Sequence, residues 1–223
     1  MVSSGLNGVT AGSSGVSTVG KAGVGLTYRG YSITDLAAGS TFEEVAYLLI
    51  YGKLPVHSQL DAYKNKLAGL RSLPNQLKSL LENMPQSAHP MDVLRTGTSF
   101  LGTLESEGED GRTAASVGDR LTASFGSMLA YWYRFHSRNE RIETDSDEDT
   151  VAGHFLSLMS GMPSDPLKRE ALDKTLILYA EHEFNASTFS ARVITSTLAD
   201  TYSAVTGAIG ALRGPLHGGA NEA

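Results

Sequence analysis

A histidine flanked by glycines lies near the end of the chain. His217 stands in the run Gly-Pro-Leu-His-Gly-Gly-Ala-Asn-Glu, residues 214–222. The glycines remove side-chain bulk, so a ligand can approach both the backbone and the imidazole. We predict a helix from Ala220, and its positive end would disfavour the protonated ring. A neutral imidazole can donate a hydrogen bond to a carbonyl oxygen that gains negative charge. The alternative is a turn histidine that only caps the helix.

A second histidine lies within the polar run Tyr-Ala-Glu-His-Glu-Phe-Asn-Ala-Ser-Thr-Phe, residues 179–189. On an unbroken helix His182 and Asn185 would share a face, with Arg192 further along it. Alternatively, the Asn-Ala-Ser-Thr run caps the next helix. These three residue types donate hydrogen bonds to carboxylate and carbonyl oxygens, which suits a small di-acid. The alternative is a buried polar network without a ligand.

The other four histidines are weaker candidates for direct chemistry. His89 is predicted to enter a helix, His57 to lie in a loop, and His136 and His154 to flank a charged connector at residues 137–149. We expect that connector to be exposed, with a metal site there as a minor alternative. The His-x-x-Asn spacing lacks the acidic partner of a zinc site, and the chain has no cysteine. Nothing matches a phosphate-binding loop or a dinucleotide fingerprint. No metal and no permanently bound cofactor are therefore predicted.

The elements that must position these residues are mostly helical. From Val9 to Ile33, β-branched and aromatic residues alternate with glycines, which predicts a small β-ribbon. Thr41 and Glu44 predict a capping box, and Gly52 predicts the end of that helix. Apolar spacing predicts further helices that open near Ser58, Pro90 and Pro166, and helices over residues 121–135, 189–199 and 202–212. The predicted fold class is mainly α.

Composition narrows the function classes. Of the 223 residues 41% are hydrophobic and 19% charged, which is ordinary for a soluble globular protein. The formal net charge is −6 without a basic tract, so nucleic acid is not an expected partner. No apolar run reaches the roughly 18 residues of a membrane-spanning helix. The first 15 residues do not form a secretory signal, and the lack of cysteine weakly favours a cytoplasmic location.

Both histidine runs resemble segments of one enzyme family. The run around His217 resembles a catalytic-histidine segment of citrate synthases, and the run around His182 resembles their oxaloacetate-binding histidine segment. Their separation of 217 − 182 = 35 residues also fits. The helix and its exit over residues 42–55, Tyr28-Arg29-Gly30-Tyr31 and His89-Pro90-Met91-Asp92 resemble family landmarks in the same order. Residues 179–189 and 211–217 look most like the 2-methylcitrate synthase branch of this family.

The resemblance implies a homodimeric, multi-helix enzyme with a large and a small domain. In this scheme oxaloacetate binds first, then an acyl-CoA loses an α-proton, attacks the ketone and releases CoA on hydrolysis. The acyl-CoA is a co-substrate. His217 would hydrogen-bond the thioester carbonyl, His182 would bind oxaloacetate, and Asn185 would support that pocket. Arg29 would approach the CoA phosphates.

The resemblance also implies a domain division. Residues 1–33 would form the extended N-terminal segment, 34–212 the helical large domain, and 213–223 the start of a small domain that is largely missing. The family's later histidine, its proton-abstracting aspartate and its oxaloacetate-binding arginines belong to segments after the His217 run. We therefore expect the chain alone to be inactive.

The expected acyl donor is propionyl-CoA, with weaker use of acetyl-CoA. Tyr179, Phe184 and Phe189 are the candidates for shaping the acyl pocket. One alternative is a citrate synthase that uses acetyl-CoA. Another is a non-catalytic dimeric domain that binds oxaloacetate or a CoA ester.

Overall fold

A computed structural model describes residues 11–19 and 25–221, except for the side chains of 220 and 221. The described part is mainly helical, as predicted. It contains ten α-helices: α1 Ile33–Gly39, α2 Phe42–Tyr51, α3 His57–Gly69, α4 Asn75–Asn83, α5 Pro90–Leu104, α6 Ala114–Arg138, α7 Val151–Ser160, α8 Pro166–Tyr179, α9 Ala186–Thr195 and α10 Thr201–Leu212. Short 3-10 turns span Glu109–Gly111 and Gly218–Asn221. None of the helices among these residues has the length and apolar character needed to cross a membrane.

A small antiparallel sheet precedes the helices. Its strands are β1 Ser17–Thr18, β2 Thr27–Tyr28 and β3 Tyr31–Ser32, in the order β1-β2-β3. Arg29 and Gly30 turn β2 into β3 with positive φ angles of 50° and 89°, as a two-residue hairpin loop requires. The predicted β-ribbon is therefore confirmed over the described residues. Residues 9–10 and 20–24 of the predicted range lie outside them.

Capping groups set several helix boundaries where the sequence predicts them. The Thr41 amide donates to Glu44 Oε2 at 2.7 Å and the Glu44 amide donates to Thr41 Oγ1 at 3.4 Å, so the predicted capping box is present. Gly52 ends α2 with a φ of 85°. His89 Nδ1 accepts from the Met91 amide at 3.1 Å, which confirms its role in helix entry. His57 is the first residue of α3, and the loop predicted for it is wrong.

The main core lies between α4, α5, α6 and α10, with α6 as its longest member. Helix α6 extends well beyond the predicted 121–135 at both ends because Thr113 caps its start and Asn139 turns left-handed at its end. Side chains from these helices pack into one cluster: Leu77, Leu81, Val93, Leu101, Leu121, Met128, Trp132, Tyr202 and Ile209. A Cβ on Gly102 would lie 2.8 Å from Tyr202 Cβ, so glycine lets α5 and α10 touch. Helix α10 thus packs on α5, and α9 packs in turn on α10.

The charged connector between α6 and α7 is attached to the rest of the protein by hydrogen bonds of buried side chains, although its composition predicts an exposed loop. Its aspartates are exposed, but Thr144 is fully buried and its Oγ1 accepts from the Leu73 amide at 3.0 Å. The buried Arg71 guanidinium donates to the carbonyl oxygens of Glu148 and Thr150. The prediction of an exposed connector is therefore wrong for its anchoring residues.

Candidate functional site

The polar run around His182 forms a loop between α8 and α9. Helix α8 ends at Tyr179, and Glu183 has a left-handed φ of 57°. Asn185 Oδ1 accepts from the amides of Ser187 at 2.9 Å and Thr188 at 3.0 Å, so Asn185 is the N-cap of α9. The unbroken-helix alternative is wrong and the capping alternative is correct. The helix also starts earlier than predicted and ends at Thr195, before the predicted residue 199.

His217 follows α10 in a tight turn. Its amide donates to the Gly214 carbonyl at 3.0 Å, and the chain continues into the 3-10 turn Gly218–Asn221. Ala220 and Asn221 belong to this short turn, which begins two residues before the helix predicted from Ala220, and the rest of that predicted helix lies outside the described residues. A Cβ on Gly218 would lie 2.1 Å from the Leu212 carbonyl oxygen, which only glycine avoids. The glycine after His217 thus permits the turn that presents the imidazole.

One open cavity of about 1020 Å³ brings the two histidines together. His182, Asn185 and His217 all line it. The remaining lining residues form a mixed polar and apolar wall: Val19, Leu178, Tyr179, Glu181, Glu183, Phe184, Ala186, Ser187, Thr188 and Leu212. A cavity with an apolar wall and a few converging polar groups is typical of a small-molecule site.

A serine joins His217 to the start of α9. The Ser187 hydroxyl lies 2.7 Å from His217 Nε2. When the hydroxyl donates to Nε2, the imidazole proton is on Nδ1, and that N–H remains available to a ligand. Ser187 is not recognisable as a site residue from the sequence, because helix capping already accounts for a serine in an Asn-Ala-Ser-Thr run. Its contact with His217 in the folded chain is what distinguishes Ser187 from an ordinary capping serine.

Of the three aromatic candidates, two line the cavity. Tyr179 and Phe184 are lining residues, whereas Phe189 is not among them. The Arg192 guanidinium carbon lies 4.8 Å from the centre of the Phe184 ring, within cation–π range. Arg192 itself lines an adjoining groove between α9 and α10, together with Ala191 and Ala208. The face predicted to be common to His182, Asn185 and Arg192 is wrong, because α9 reaches back only to its N-cap Asn185 and His182 lies in the loop before it.

Arg29 is not brought to this cavity. It sits in the β2–β3 turn, and its Nη2 donates to the Leu49 carbonyl at 3.1 Å. It is absent from the residues that line the histidine cavity. A contact of Arg29 with CoA phosphates stays a prediction.

His154 is the most buried histidine of the described chain and lies apart from the cavity. Its Nε2 is 2.9 Å from Ser127 Oγ and its Nδ1 is 2.8 Å from Ser146 Oγ. Burial, reinforced by the nearby Arg71 charge, lowers the pKa of His154 to about 4. This histidine connects α6, the connector and α7 as a neutral side chain. Within residues 11–19 and 25–221, no group of three or more His, Asp or Glu side chains is placed to hold a metal ion.

Comparison with known proteins agrees with this geometry. A family model described as citrate synthase, C-terminal domain, matches residues 5–223. The chain is 56% identical over 223 residues to 2-methylcitrate synthase of Shewanella oneidensis, covering all of this chain and 59% of that protein. It is 42% identical over 221 residues to citrate synthase 2 of Bacillus subtilis, covering 98% of this chain and 59% of that one.

Solved structures give the same result. Citrate synthase of Thermotoga maritima superposes with a TM-score of 0.85 at 38% identity, covering 100% of this chain and 58% of that one. Citrate synthase of Thermoplasma acidophilum, in a ternary complex with carboxymethyl coenzyme A and oxaloacetate, gives 0.88 at 30% identity with the same coverage. The chain thus spans less than two thirds of the length of these relatives. Because the family model extends over nearly all of its residues, the chain belongs to the citrate synthase family.

Proposed function

We propose that the protein carrying this chain condenses oxaloacetate with a short acyl-CoA and releases CoA. The observation that supports this most is the shared cavity, which His182 and His217 line from two separate segments. The ligands of the Thermoplasma acidophilum relative, carboxymethyl coenzyme A and oxaloacetate, agree with a di-acid and a CoA derivative at such a site.

The proposed roles follow from the hydrogen-bonding capacity of each group. The α-carbon of the acyl-CoA loses a proton, the resulting enolate carbon attacks the ketone carbon of oxaloacetate, and the ketone oxygen takes up a proton. Water then cleaves the thioester and CoA departs. The imidazole of His217 donates to the thioester oxygen as its charge develops, and such a donor contributes about 3–4 kcal/mol. His182 donates to oxaloacetate, while Asn185 supports the pocket by capping α9.

We further propose propionyl-CoA as the preferred acyl donor, so that 2-methylcitrate is the product. The relatives named 2-methylcitrate synthase support this, at 56% identity in Shewanella oneidensis and 46% over 228 residues in Corynebacterium glutamicum. Tyr179 and Phe184 give the cavity an aromatic wall beside His182, which suits an additional methyl group. Acetyl-CoA is the second candidate, since relatives named citrate synthase are 42% identical.

A homodimer is part of this proposal. Large apolar side chains remain exposed on α9, in the loop between α9 and α10, at the end of α10 and just after it: Val193, Leu198, Leu212 and Leu216. Exposed apolar side chains on neighbouring helices and their connections are commonly covered by a protein partner. Sedimentation equilibrium of the protein should give twice the subunit mass.

Oxaloacetate titration by calorimetry tests the proposed function. His182→Ala should weaken oxaloacetate binding at least about tenfold, since it removes a charge-assisted hydrogen bond. His57→Ala is the matched control, because His57 is exposed at the start of α3 and outside the cavity. Failure of the unmodified protein to bind oxaloacetate would overturn the proposal.

The inactivity of the 223-residue polypeptide by itself stays a prediction. None of the described residues that line the cavity is an aspartate, and loss of a general base costs about 10²–10⁴ in rate. Free CoA, followed with a thiol reagent, should not appear when this polypeptide alone is mixed with oxaloacetate and propionyl-CoA.

A further inference from the structure

Three groups beside His182 form a triangle of hydrogen bonds: the Ser17 hydroxyl, the Glu181 carboxylate and the Glu183 amide. The Ser17 hydroxyl donates to Glu181 Oε1 at 3.1 Å. The Glu183 amide donates to both oxygens, at 3.0 Å to Ser17 Oγ and 2.6 Å to Glu181 Oε1. Ser17 is buried in β1, 164 positions away along the chain from Glu181. The triangle therefore ties the N-terminal sheet to the His182 loop.

The backbone at this point needs such support. Glu183 adopts a φ of 57°, a left-handed conformation that disfavours any residue with a Cβ. Residues persist in such conformations only where surrounding contacts hold them, and they concentrate at functional sites. The two bonds to the Glu183 amide hold this conformation, and the direction of the preceding residue, His182, depends on it.

The sheet supplies a second attachment to the same loop. The Tyr28 hydroxyl accepts from the Glu181 amide at 3.3 Å and donates to the Ile177 carbonyl at 3.0 Å. Ser17 and Tyr28 are directly paired across β1 and β2, so their side chains leave the same face of the sheet. The cross-strand pair thus holds both Glu181 and Glu183, the two residues that flank His182.

We propose that Ser17 is a positioning residue for the di-acid site, acting through Glu181 and the Glu183 amide. It sets the orientation of His182 and thereby the affinity for oxaloacetate, without touching the ligand. This inference rests on the proposed function, in which His182 binds oxaloacetate. It makes the N-terminal sheet part of the substrate site.

The test compares hydroxyl loss with hydroxyl retention at one position. Ser17→Ala should raise the Kd for oxaloacetate about tenfold in calorimetry, since the partly buried Glu183 amide loses one of its two acceptors. Ser17→Thr keeps the hydroxyl on a residue that suits a strand and should stay within about twofold of the unmodified protein. Ser14→Ala is the matched control, because Ser14 Oγ accepts only from the nearby Val16 amide in the exposed part of the same segment.

Glu181→Gln separates geometry from charge. The side-chain oxygen of the glutamine still accepts both hydrogen bonds, so the affinity for oxaloacetate should stay within about threefold of that of the unmodified protein. Glu181→Ala should weaken oxaloacetate binding as Ser17→Ala does. The KM for the acyl-CoA at saturating oxaloacetate should not change in Ser17→Ala, and Tm should fall by no more than about 2–4 °C, the effect of one lost hydrogen bond.

The outcomes distinguish this inference from the function on which it rests. If the unmodified protein did not bind oxaloacetate, the proposed function would fail and this inference with it. Normal binding in the unmodified protein, together with an unchanged Kd in Ser17→Ala, would overturn this inference alone. If the acyl-CoA KM rose as much as the oxaloacetate Kd and Tm also fell strongly, this inference would be overturned as well, because that pattern indicates general destabilisation.

Discussion

The hydroxyl of Ser187 lies 2.7 Å from Nε2 of His217, and this contact connects the start of α9 to the turn that follows α10. Ser187 lies two residues after Asn185, the N-cap of α9, and its amide donates to Asn185 Oδ1. The orientation of one histidine is thus set by a residue of the run that contains the other.

Removal of the Ser187 hydroxyl should slow the reaction while sparing oxaloacetate. We expect Ser187→Ala to lower kcat about fivefold to tenfold, because one hydrogen bond of about 1–1.5 kcal/mol no longer orients the imidazole. The Kd for oxaloacetate should change less than about twofold. Ser190→Ala is the control, since Ser190 Oγ donates only to the Ala186 carbonyl of its own helix. Equal kcat values for the two variants would contradict this prediction.

The two histidines should separate catalysis from di-acid binding. His217→Ala should lower kcat about 10²–10³-fold, the usual loss for one oxyanion donor, and leave the oxaloacetate Kd nearly unchanged. His182→Ala should act mainly on that Kd. Steady-state kinetics and calorimetry on both variants decide the assignment. Lost oxaloacetate binding in His217→Ala with normal binding in His182→Ala would reverse the roles.

Asn185 should contribute to folding stability as a helix cap. Asn185→Ala should lower the free energy of unfolding by about 1 kcal/mol, because the Ser187 and Thr188 amides lose their acceptor. Asn185→Asp keeps an acceptor oxygen and should lose far less. Urea denaturation followed by circular dichroism measures both. Identical losses in the two variants would show that the cap is not the source of the effect.

Stability should fall in mild acid because of His154. Its pKa is lowered from 6.5 to about 4 in the folded protein, so the unfolded chain binds its proton first as the pH falls. The contribution is complete above about pH 6.5 and decreases progressively toward about pH 4, losing about 2 kcal/mol between pH 7 and pH 5. His154→Gln should reduce the difference between unfolding free energies measured at these two values. An unchanged pH dependence in the variant would contradict the assignment.

Acyl preference should depend on the aromatic wall of the cavity. The unmodified protein should have a higher kcat/KM for propionyl-CoA than for acetyl-CoA, with both measurable, because one methylene changes selectivity only about 10- to 200-fold. Phe184→Leu should change this ratio, whereas Phe189→Leu should not, since Phe189 is not among the lining residues. A higher kcat/KM for acetyl-CoA in the unmodified protein would identify a citrate synthase instead.

Local signals account for much of what the sequence predicts correctly. Thr41, Gly52 and His89 are recognisable because a cap or a left-handed turn depends on residues within one helical turn. Short elements are harder to predict. Helices α4 and α7 have no counterpart among the predicted helices, and each has only 9 or 10 residues to establish a period.

Hydrophobic periods and local motifs predict the mainly helical class, the small N-terminal sheet and the two histidine runs that resemble a citrate synthase. Tertiary structure alone decided that Ser187 meets His217, that Ser17 reaches the His182 loop, and that Arg29 stays outside the cavity. The physical reason is the distance along the chain. Helix periods and caps are set by neighbouring residues, whereas contacts between residues 30 or 166 positions apart depend on how α9, α10 and the sheet pack together.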